Sequence, residues 1–174
     1  MSYCEVARGH PVHGPFHDSE HGFPIRDDDA LFERLCLEIF QAGLSWLIVL
    51  KKRPSLRAAF DDFRLEIVAG YDEAKIESLL ADPGIVRHRG KIVAIIENAR
   101  RILALRQSHG GFAAWLDAQT AADKAEWVKI FKKTFKFTGG EIVGEFLMGT
   151  GRLPGAHDPD CPVAARIAER APGV

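Results

Sequence analysis

From residue 27 onward, apolar side chains recur at intervals of three and four residues, which is the period of an amphipathic helix. The first stripe runs from Leu31 to Phe40 and follows three aspartates that suit a helix start. The strongest stripe lies within Lys91–Gln107, and two glycines follow it. No Asn-Gly or Asp-Gly turn lies between alternating strands. The pattern predicts an all-α protein with short loops.

The same spacing predicts shorter helices along the rest of the chain, with Ser45 as the cap of one of them. They are expected from Ser45 to Lys51, from Pro54, over Glu73–Leu80, from Trp115, over Ala121–Phe131 and over Thr138–Met148. Residues 1–26 break the pattern, because histidine, proline and glycine dominate there. We expect that segment to be irregular and to need something other than apolar packing to hold it.

Composition narrows the class of protein. The 174 residues are enough for one domain or two small lobes, and 47% of them are hydrophobic. No apolar run is long enough to span a membrane, and no secretory signal is expected at the N-terminus. Three cysteines argue against a disulfide framework and for a reducing cytoplasm. The net charge is −1, so a surface that binds nucleic acid would have to come from local clustering of basic residues.

The two ends of the chain carry residues that could bind a metal together. They are Cys4, His17, His157 and Cys161. Two cysteines and two histidines are a common tetrahedral zinc set, although spacing alone leaves the alternative of ordinary core or surface side chains. Three other histidines compete for the ligand role: His10, His13 and His21. A filled set would make the metal structural, and Asp158 and Asp160 are candidates to orient its ligands.

A glycine-containing turn between two helical stretches, at residues 80–92, is the candidate DNA-binding element. Its glycines are Gly84 and Gly90, and its basic side chains are Arg87, His88, Arg89 and Lys91. A basic turn at a helix N-terminus can hold a phosphate without reading sequence. The alternative is a solvated corner with ordinary surface charge.

Five ordered segments carry a resemblance to a known family. They are residues 17–24, 36–46, 84–92, 94–99 and 135–137. Together they resemble the 3-methyladenine DNA glycosylase I family, and the similarity runs from Cys4 to about Cys161. The resemblance implies a helix–hairpin–helix glycosylase fold with no catalytic lysine. It also implies structural zinc, held by Cys4, His17, His157 and Cys161.

The resemblance implies one glycosylase domain over residues 1–174, with two helical lobes. The hairpin would lie at about 80–92, and the zinc-binding ends at 1–26 and 150–174. The family's base pocket maps onto Glu38, the expected catalytic residue, and Trp46, with Gln41 as a further contact. Phe16 and His21 stand where the family usually has tyrosine and tryptophan, so they change the wall that recognises the base.

The resemblance implies a monomer that binds double-stranded DNA and hydrolyses the N-glycosidic bond of 3-methyladenine without cutting the strand. The alternative is a glycosylase-like DNA-binding protein with altered base specificity or no catalysis. A zinc-dependent hydrolase is disfavoured, because four ligands leave no open position on the metal.

Overall fold

The computed structural model describes residues 1–170, and helices make up nearly all of its regular structure. The helices are α1 (Tyr3–Ala7), α2 (His13–Ser19), α3 (Asp28–Gln41), α4 (Trp46–Ala59), α5 (Leu65–Ala69), α6 (Glu73–Leu80), α7 (Arg89–His109), α8 (Phe112–Asp117), α9 (Lys124–Thr134), α10 (Gly140–Gly149) and α11 (Pro162–Arg170). No strand occurs within residues 1–170, so the all-α prediction is confirmed. Residues 171–174 of the predicted zinc-binding end lie outside the described residues. No described helix is long and apolar enough to cross a membrane.

Helix α3 is the central element of the fold. Every residue from Leu31 to Phe40 is buried, so the helix is covered on all sides. It packs against α4, α7, α8 and α10. A helix buried all round places its polar members, Glu33, Arg34 and Glu38, inside the protein, where each must find a partner or a cavity.

The caps of α3 and α4 agree with the prediction. The side chain of Asp27 accepts a hydrogen bond from Ala30 N at 2.9 Å, and that of Ser45 accepts one from Ile48 N at 3.3 Å. The expectation that a separate helix begins at Pro54 is wrong, because α4 runs through it to Ala59. A proline inside a helix removes one backbone hydrogen bond, and the buried residues that follow, such as Leu56, keep the helix in place.

The N-terminal segment is helical rather than irregular. Ser2 and Glu5 form a capping box that starts α1. The sequence already contains this signal, because a serine is followed three residues later by a glutamate. Glu20 follows α2 and accepts two hydrogen bonds from Arg53, each at 2.8 Å. Arg53 also donates to Glu33 at 2.7 Å, so this ion-pair network fixes the N-terminal helices against α3 and α4.

Two later helices begin at positions that differ from the prediction. Helix α8 begins at Phe112 rather than Trp115, because the Asp28 carboxylate accepts hydrogen bonds from Phe112 N and Ala113 N. That cap comes from a residue 84 positions away. Helix α9 begins at Lys124, where Asp123 caps it, and not at Ala121. The first residue of each helix is therefore set by a capping side chain and not by the spacing of apolar residues.

Candidate functional site

A small cavity of about 210 Å³ lies where α1, α3, α4 and α10 approach one another. Its lining residues are Tyr3, His21, Glu38, Gln41, Trp46 and Glu145. It shares Glu38, Gln41 and Glu145 with a larger outer cavity of about 660 Å³. The sequence predicted four of the six lining residues. Small concave sites with a few polar groups are the usual places for ligands.

Glu38 is the most deeply buried acid of this cavity. It is 6% exposed and makes no hydrogen bond with any described residue. Burial raises the pKa of Glu38 to about 8, although the positive charge of Arg34 opposes the effect and Glu145 adds to it. A buried, unpaired carboxyl that faces a cavity is available to a ligand that donates hydrogen bonds.

The aromatic side of the cavity is built in two layers. Trp46 lines the cavity, and the ring of Phe16 meets it edge-on, with 5.3 Å between ring centroids. Phe16 is not among the described lining side chains, and the Arg34 guanidinium covers it at 4.7 Å. Phe16 therefore packs against Trp46 at the edge of the cavity, and its direct contact with a base stays a prediction.

His21 lines the cavity as predicted, but as an uncharged ring. Burial lowers the pKa of His21 to about 3, and the nearby His157 and Arg34 lower it further. With that lowered pKa, the imidazole beside Trp46 and Glu38 is neutral at neutral pH, so the wall keeps its aromatic character.

Sequence reasoning missed Tyr3 and Glu145. The hydroxyl of Tyr3 lies 3.1 Å from His13 Nδ1, and its ring meets His21 edge-on at 5.1 Å. Burial raises the pKa of Tyr3 to about 12, so it stays a neutral phenol. Glu145 had one signal, since it is an acid near the middle of the apolar helix α10.

The four predicted metal ligands converge at the joined chain ends. One donor atom each from Cys4, His17, His157 and Cys161 lies within 4.8 Å of all the others. His157 Nδ1 is 3.6 Å from Cys4 Sγ and 3.7 Å from Cys161 Sγ. In a tetrahedral zinc site the sulfur–nitrogen edge is about 3.5 Å. The donor set and its spacing therefore fit a zinc ion.

Both histidines of this cluster are held by their second ring nitrogen. His17 Nδ1 is 2.7 Å from the Asp18 carboxylate, and His157 Nε2 is 2.6 Å from the His21 carbonyl. Such bonds fix the ring orientation that a metal requires. Asp158 donates its backbone N–H to Cys4 Sγ at 3.3 Å. Asp158 thus supports the candidate ligand Cys4, through its backbone. Asp18 supports His17 and takes the role that the sequence suggested for Asp160.

Comparison with known proteins agrees with this geometry. Residues 6–134 match the model of the methyladenine glycosylase family. This chain belongs to the methyladenine glycosylase family.

Its relatives cover nearly the whole of the chain. DNA-3-methyladenine glycosylase 1 of Escherichia coli strain K12 is 38% identical over 170 residues, covering 87% of this chain and 91% of the relative. DNA-3-methyladenine glycosylase of Haemophilus influenzae is 35% identical, covering 91% and 96%. A tyrosine-to-phenylalanine variant of 3-methyladenine DNA glycosylase I, crystallised with 3-methyladenine, superposes with a TM-score of 0.83 at 36% identity, covering 94% and 97%.

In this methyladenine glycosylase, the predicted hairpin connects α6 to α7. Arg87 and His88 are exposed, and the His88 ring accepts a hydrogen bond from Lys91 N at 3.1 Å, which caps α7. Arg89 is exposed but is held in ion pairs with Glu73 and Glu77. Arg87 is exposed and makes no ion pair with another described residue, whereas the exposed Arg89 is neutralised by two acids.

Lys91 and the two glycines differ from their expected roles. Lys91 is 4% exposed, and its ammonium donates hydrogen bonds to Phe40 O at 3.2 Å and Ala42 O at 2.5 Å. It therefore holds the end of α3, and its charge is turned away from the surface. Neither glycine has a positive φ. Gly84 allows a close approach to Ser55, and Gly90 lies in the first turn of α7.

Proposed function

We propose that this chain is a monofunctional DNA glycosylase of base excision repair that hydrolyses the N-glycosidic bond of 3-methyladenine in alkylated duplex DNA. One observation carries the proposal: the unpaired carboxyl of Glu38 lies inside a cavity of about 210 Å³ beside the ring of Trp46. The relatives named for this activity cover most of the chain and support the choice of substrate.

The cavity suits a purine that has left the helix. An enzyme that acts at C1′ must extrude the nucleotide, and a damaged base that pairs poorly is cheaper to extrude. The face of Trp46 attracts a cationic ring, and 3-methyladenine is cationic while it remains in the nucleotide. Glu38 would accept a hydrogen bond from the exocyclic amine, and the amide of Gln41 would hold a second edge of the base.

The chemistry needs little beyond binding. The bond between C1′ and N9 breaks, its electron pair goes to the base, and the positive charge of the base disappears. Water adds to C1′ and loses a proton to the solvent. A cationic leaving group makes this break easy, so a tight site for the base and access for water suffice. No lysine within residues 1–170 lines the small cavity, which supports an abasic product without strand cleavage.

DNA contact would come from the hairpin and the mouth of the cavity. The free N–H groups at the start of α7 and the exposed guanidinium of Arg87 suit a phosphate, as in a helix–hairpin–helix element. Leu44 is 37% exposed on the loop between α3 and α4 and lines the outer cavity. An apolar side chain there could enter the gap that the extruded nucleotide leaves.

A structural zinc ion joining the two ends of the chain is part of the proposal. The ligands would be Cys4, His17, His157 and Cys161, whose spacing supports tetrahedral coordination. The ion would supply folding energy and no chemistry at the base. We further propose one domain over residues 1–174, acting as a monomer in a reducing compartment, which the odd number of cysteines favours.

The test is release of free bases from methylated duplex DNA by the wild type, Glu38→Ala and Trp46→Ala, with Glu141→Ala as the control on the outer cavity. We expect release of 3-methyladenine by the wild type and the control, and weakened release by both pocket variants. Release of another methylated purine instead would indicate altered specificity, the alternative that Phe16 and His21 raise. DNA binding with no base release would contradict the proposal.

A further inference from the structure

Phe137 is an exposed aromatic residue in the loop between α9 and α10. Its side chain is 41% exposed, although the neighbouring Phe135 and Thr138 are buried. Its φ is +61°, a left-handed backbone conformation that bulky side chains seldom adopt. An exposed ring on a strained backbone contributes little to the core, and strain of this kind concentrates at functional sites.

The backbone before Phe137 is held in place from the side of α7. The amide of Asn98 is fully buried, and its Oδ1 accepts a hydrogen bond from Lys136 N at 2.7 Å while its Nδ2 donates one to Lys136 O at 2.9 Å. Arg101 donates a further hydrogen bond to Thr134 O at 3.0 Å. The packing of α7 therefore imposes the strained conformation and keeps the Phe137 ring at the surface.

Phe137 lies between the two elements that the proposed function assigns to DNA contact. On one side, its ring meets the His88 ring of the hairpin at 80°, with 6.1 Å between ring centroids. On the other side, Gly139 lines the outer cavity together with Leu44. Two residues of chain span at most about 7 Å. A DNA strand that runs from the hairpin to the mouth of the cavity therefore passes close to the Phe137 ring.

The surface around the ring is basic. Lys136 is exposed beside Phe137, and Arg87 is exposed beside His88. Neither cation makes an ion pair with another residue from 1 to 170. An exposed aromatic ring between free cations suits a strand in which apolar sugars alternate with phosphates, and it suits an apolar protein surface less well.

We propose that Phe137 is a DNA-contact residue whose ring packs against a deoxyribose of the damaged strand, between the hairpin and the extruded nucleotide. The inference rests on the proposed function only in taking DNA as the partner. The contact is apolar and independent of base sequence, and it fixes the position of the strand along the protein surface. Phe137 lies outside the base cavity, so the contact leaves the affinity for a free base unchanged.

The experiment measures binding of the folded, full-length protein to a duplex that contains a tetrahydrofuran abasic site, over a range of salt concentrations. The variants are Phe137→Ala, which removes the ring, Phe137→Gly, which also removes the backbone strain, and Phe137→Trp, which keeps an aromatic ring. Ile67→Ala is the matched control, because Ile67 is also 41% exposed. Its neighbour Glu66 pairs with Arg106 in the last turn of α7, about 27 Å along that helix from His88.

We expect Phe137→Ala and Phe137→Gly to weaken binding of the abasic duplex about tenfold, as for the loss of one aromatic contact to nucleic acid. The slope of log affinity against log salt should stay unchanged, because an apolar contact releases no counterions. Phe137→Trp should bind within about threefold of the wild type, and Ile67→Ala within about twofold. Phe137→Gly should resist urea at least as well as Phe137→Ala, because glycine adopts this φ without penalty.

Unchanged affinity in both ring-deleting variants would overturn the inference. A loss of affinity together with a smaller salt slope would also overturn it, because the ring would then act by supporting the phosphate contacts of the hairpin.

A second series tests the contact with the sugar itself. Single nucleosides next to the abasic site are replaced in turn by a propyl linker that keeps the phosphates. At one position the linker should weaken binding of the wild type about fivefold and binding of Phe137→Ala less than about twofold, because the variant has already lost that contact. Equal losses for the two proteins at every position would contradict the inference.

Release of 3-methyladenine from methylated duplex DNA, measured in parallel, separates this inference from the proposed function. If the wild type binds the abasic duplex through Phe137 but releases no base, the proposed function fails and the inference stands. If the wild type releases 3-methyladenine and the Phe137 variants bind the abasic duplex as tightly as it does, the inference fails and the function stands. No binding of duplex DNA by the wild type would overturn both.

Discussion

Replacing Glu38 by glutamine removes a titratable group from the interior and keeps the shape of the side chain. Burial raises the pKa of Glu38 in the native protein from 4.5 to about 8. A carboxyl with a raised native pKa binds its proton more tightly in the folded state than in the unfolded state. Its stabilising contribution is therefore complete below about pH 4.5 and is lost as the pH rises through about 8.

The size of the effect follows from that interval. At about 1.4 kcal/mol for each pH unit, the rise of the Glu38 pKa from 4.5 to about 8 sets a ceiling of about 5 kcal/mol on the stability lost. Because the carboxyl borders a cavity that water can enter, we expect about half of it, or about 2–3 kcal/mol.

The assay is urea unfolding of the wild type and Glu38→Gln from about pH 5 to about pH 9. The difference between the two free energies of unfolding cancels the titration of all other groups. We expect the variant to gain about 2–3 kcal/mol relative to the wild type across that interval. A difference that stays constant with pH would refute the view that Glu38 is held desolvated and unpaired.

Glu33, also buried on α3, provides a control of opposite sign. Burial alone would raise the pKa of Glu33, but hydrogen bonds from Arg57 and Arg53 outweigh it and hold the pKa below its ordinary value of 4.5. Its stabilising contribution is present above that value and is lost as the pH falls. Glu33→Gln should therefore lose stability relative to the wild type as the pH rises through the acid range.

Three further variants test the metal centre, the hairpin and the core. Cys4→Ala should lower the free energy of unfolding by about 3 kcal/mol or more in chemical denaturation, whereas Asp160→Ala, exposed beside the cluster, should change it by less than about 0.5 kcal/mol. Arg87→Ala should reduce the salt dependence of DNA binding by about one phosphate contact, whereas Lys91→Met should leave that slope unchanged because its ammonium is bound to carbonyls. Asn98→Ala should lower the free energy of unfolding in urea by about 2 kcal/mol. The buried side-chain amide of Asn98 makes hydrogen bonds of 2.7 and 2.9 Å to the backbone N–H and C=O of one residue in the loop after α9.

The parts of the site that the sequence predicted are those whose residues belong to one contiguous motif. The segment from Cys36 to Trp46 contains a helix end, a loop and a helix start, so its order along the chain already places Glu38 near Trp46. The candidate metal ligands were harder to predict, because they lie at opposite ends of the chain. Their residue types suggested a zinc set but left ordinary core or surface side chains as the alternative, and the resemblance to the glycosylase family is what implied the four ligands together.

The parts that the sequence missed depend on side chains arriving from elsewhere in the fold. Glu145 and Tyr3 each reach the cavity alone, from helices that no motif connects to α3. Lys91 was expected at the surface, because a lysine at a helix start usually is. Its ammonium instead satisfies the free carbonyls at the end of α3, a need visible only once α3 and α7 are packed together.

The hydrogen bond between His157 Nε2 and the His21 carbonyl connects the metal cluster to the pocket wall. His21 lines the base cavity, and His157 belongs to the ligand set. Two sites that share a rigid element influence each other reciprocally. A base that immobilises His21 should therefore tighten the binding of the proposed zinc ion. The amount of metal that a chelator removes at equilibrium would then report, from the far side of the wall, whether the pocket is filled.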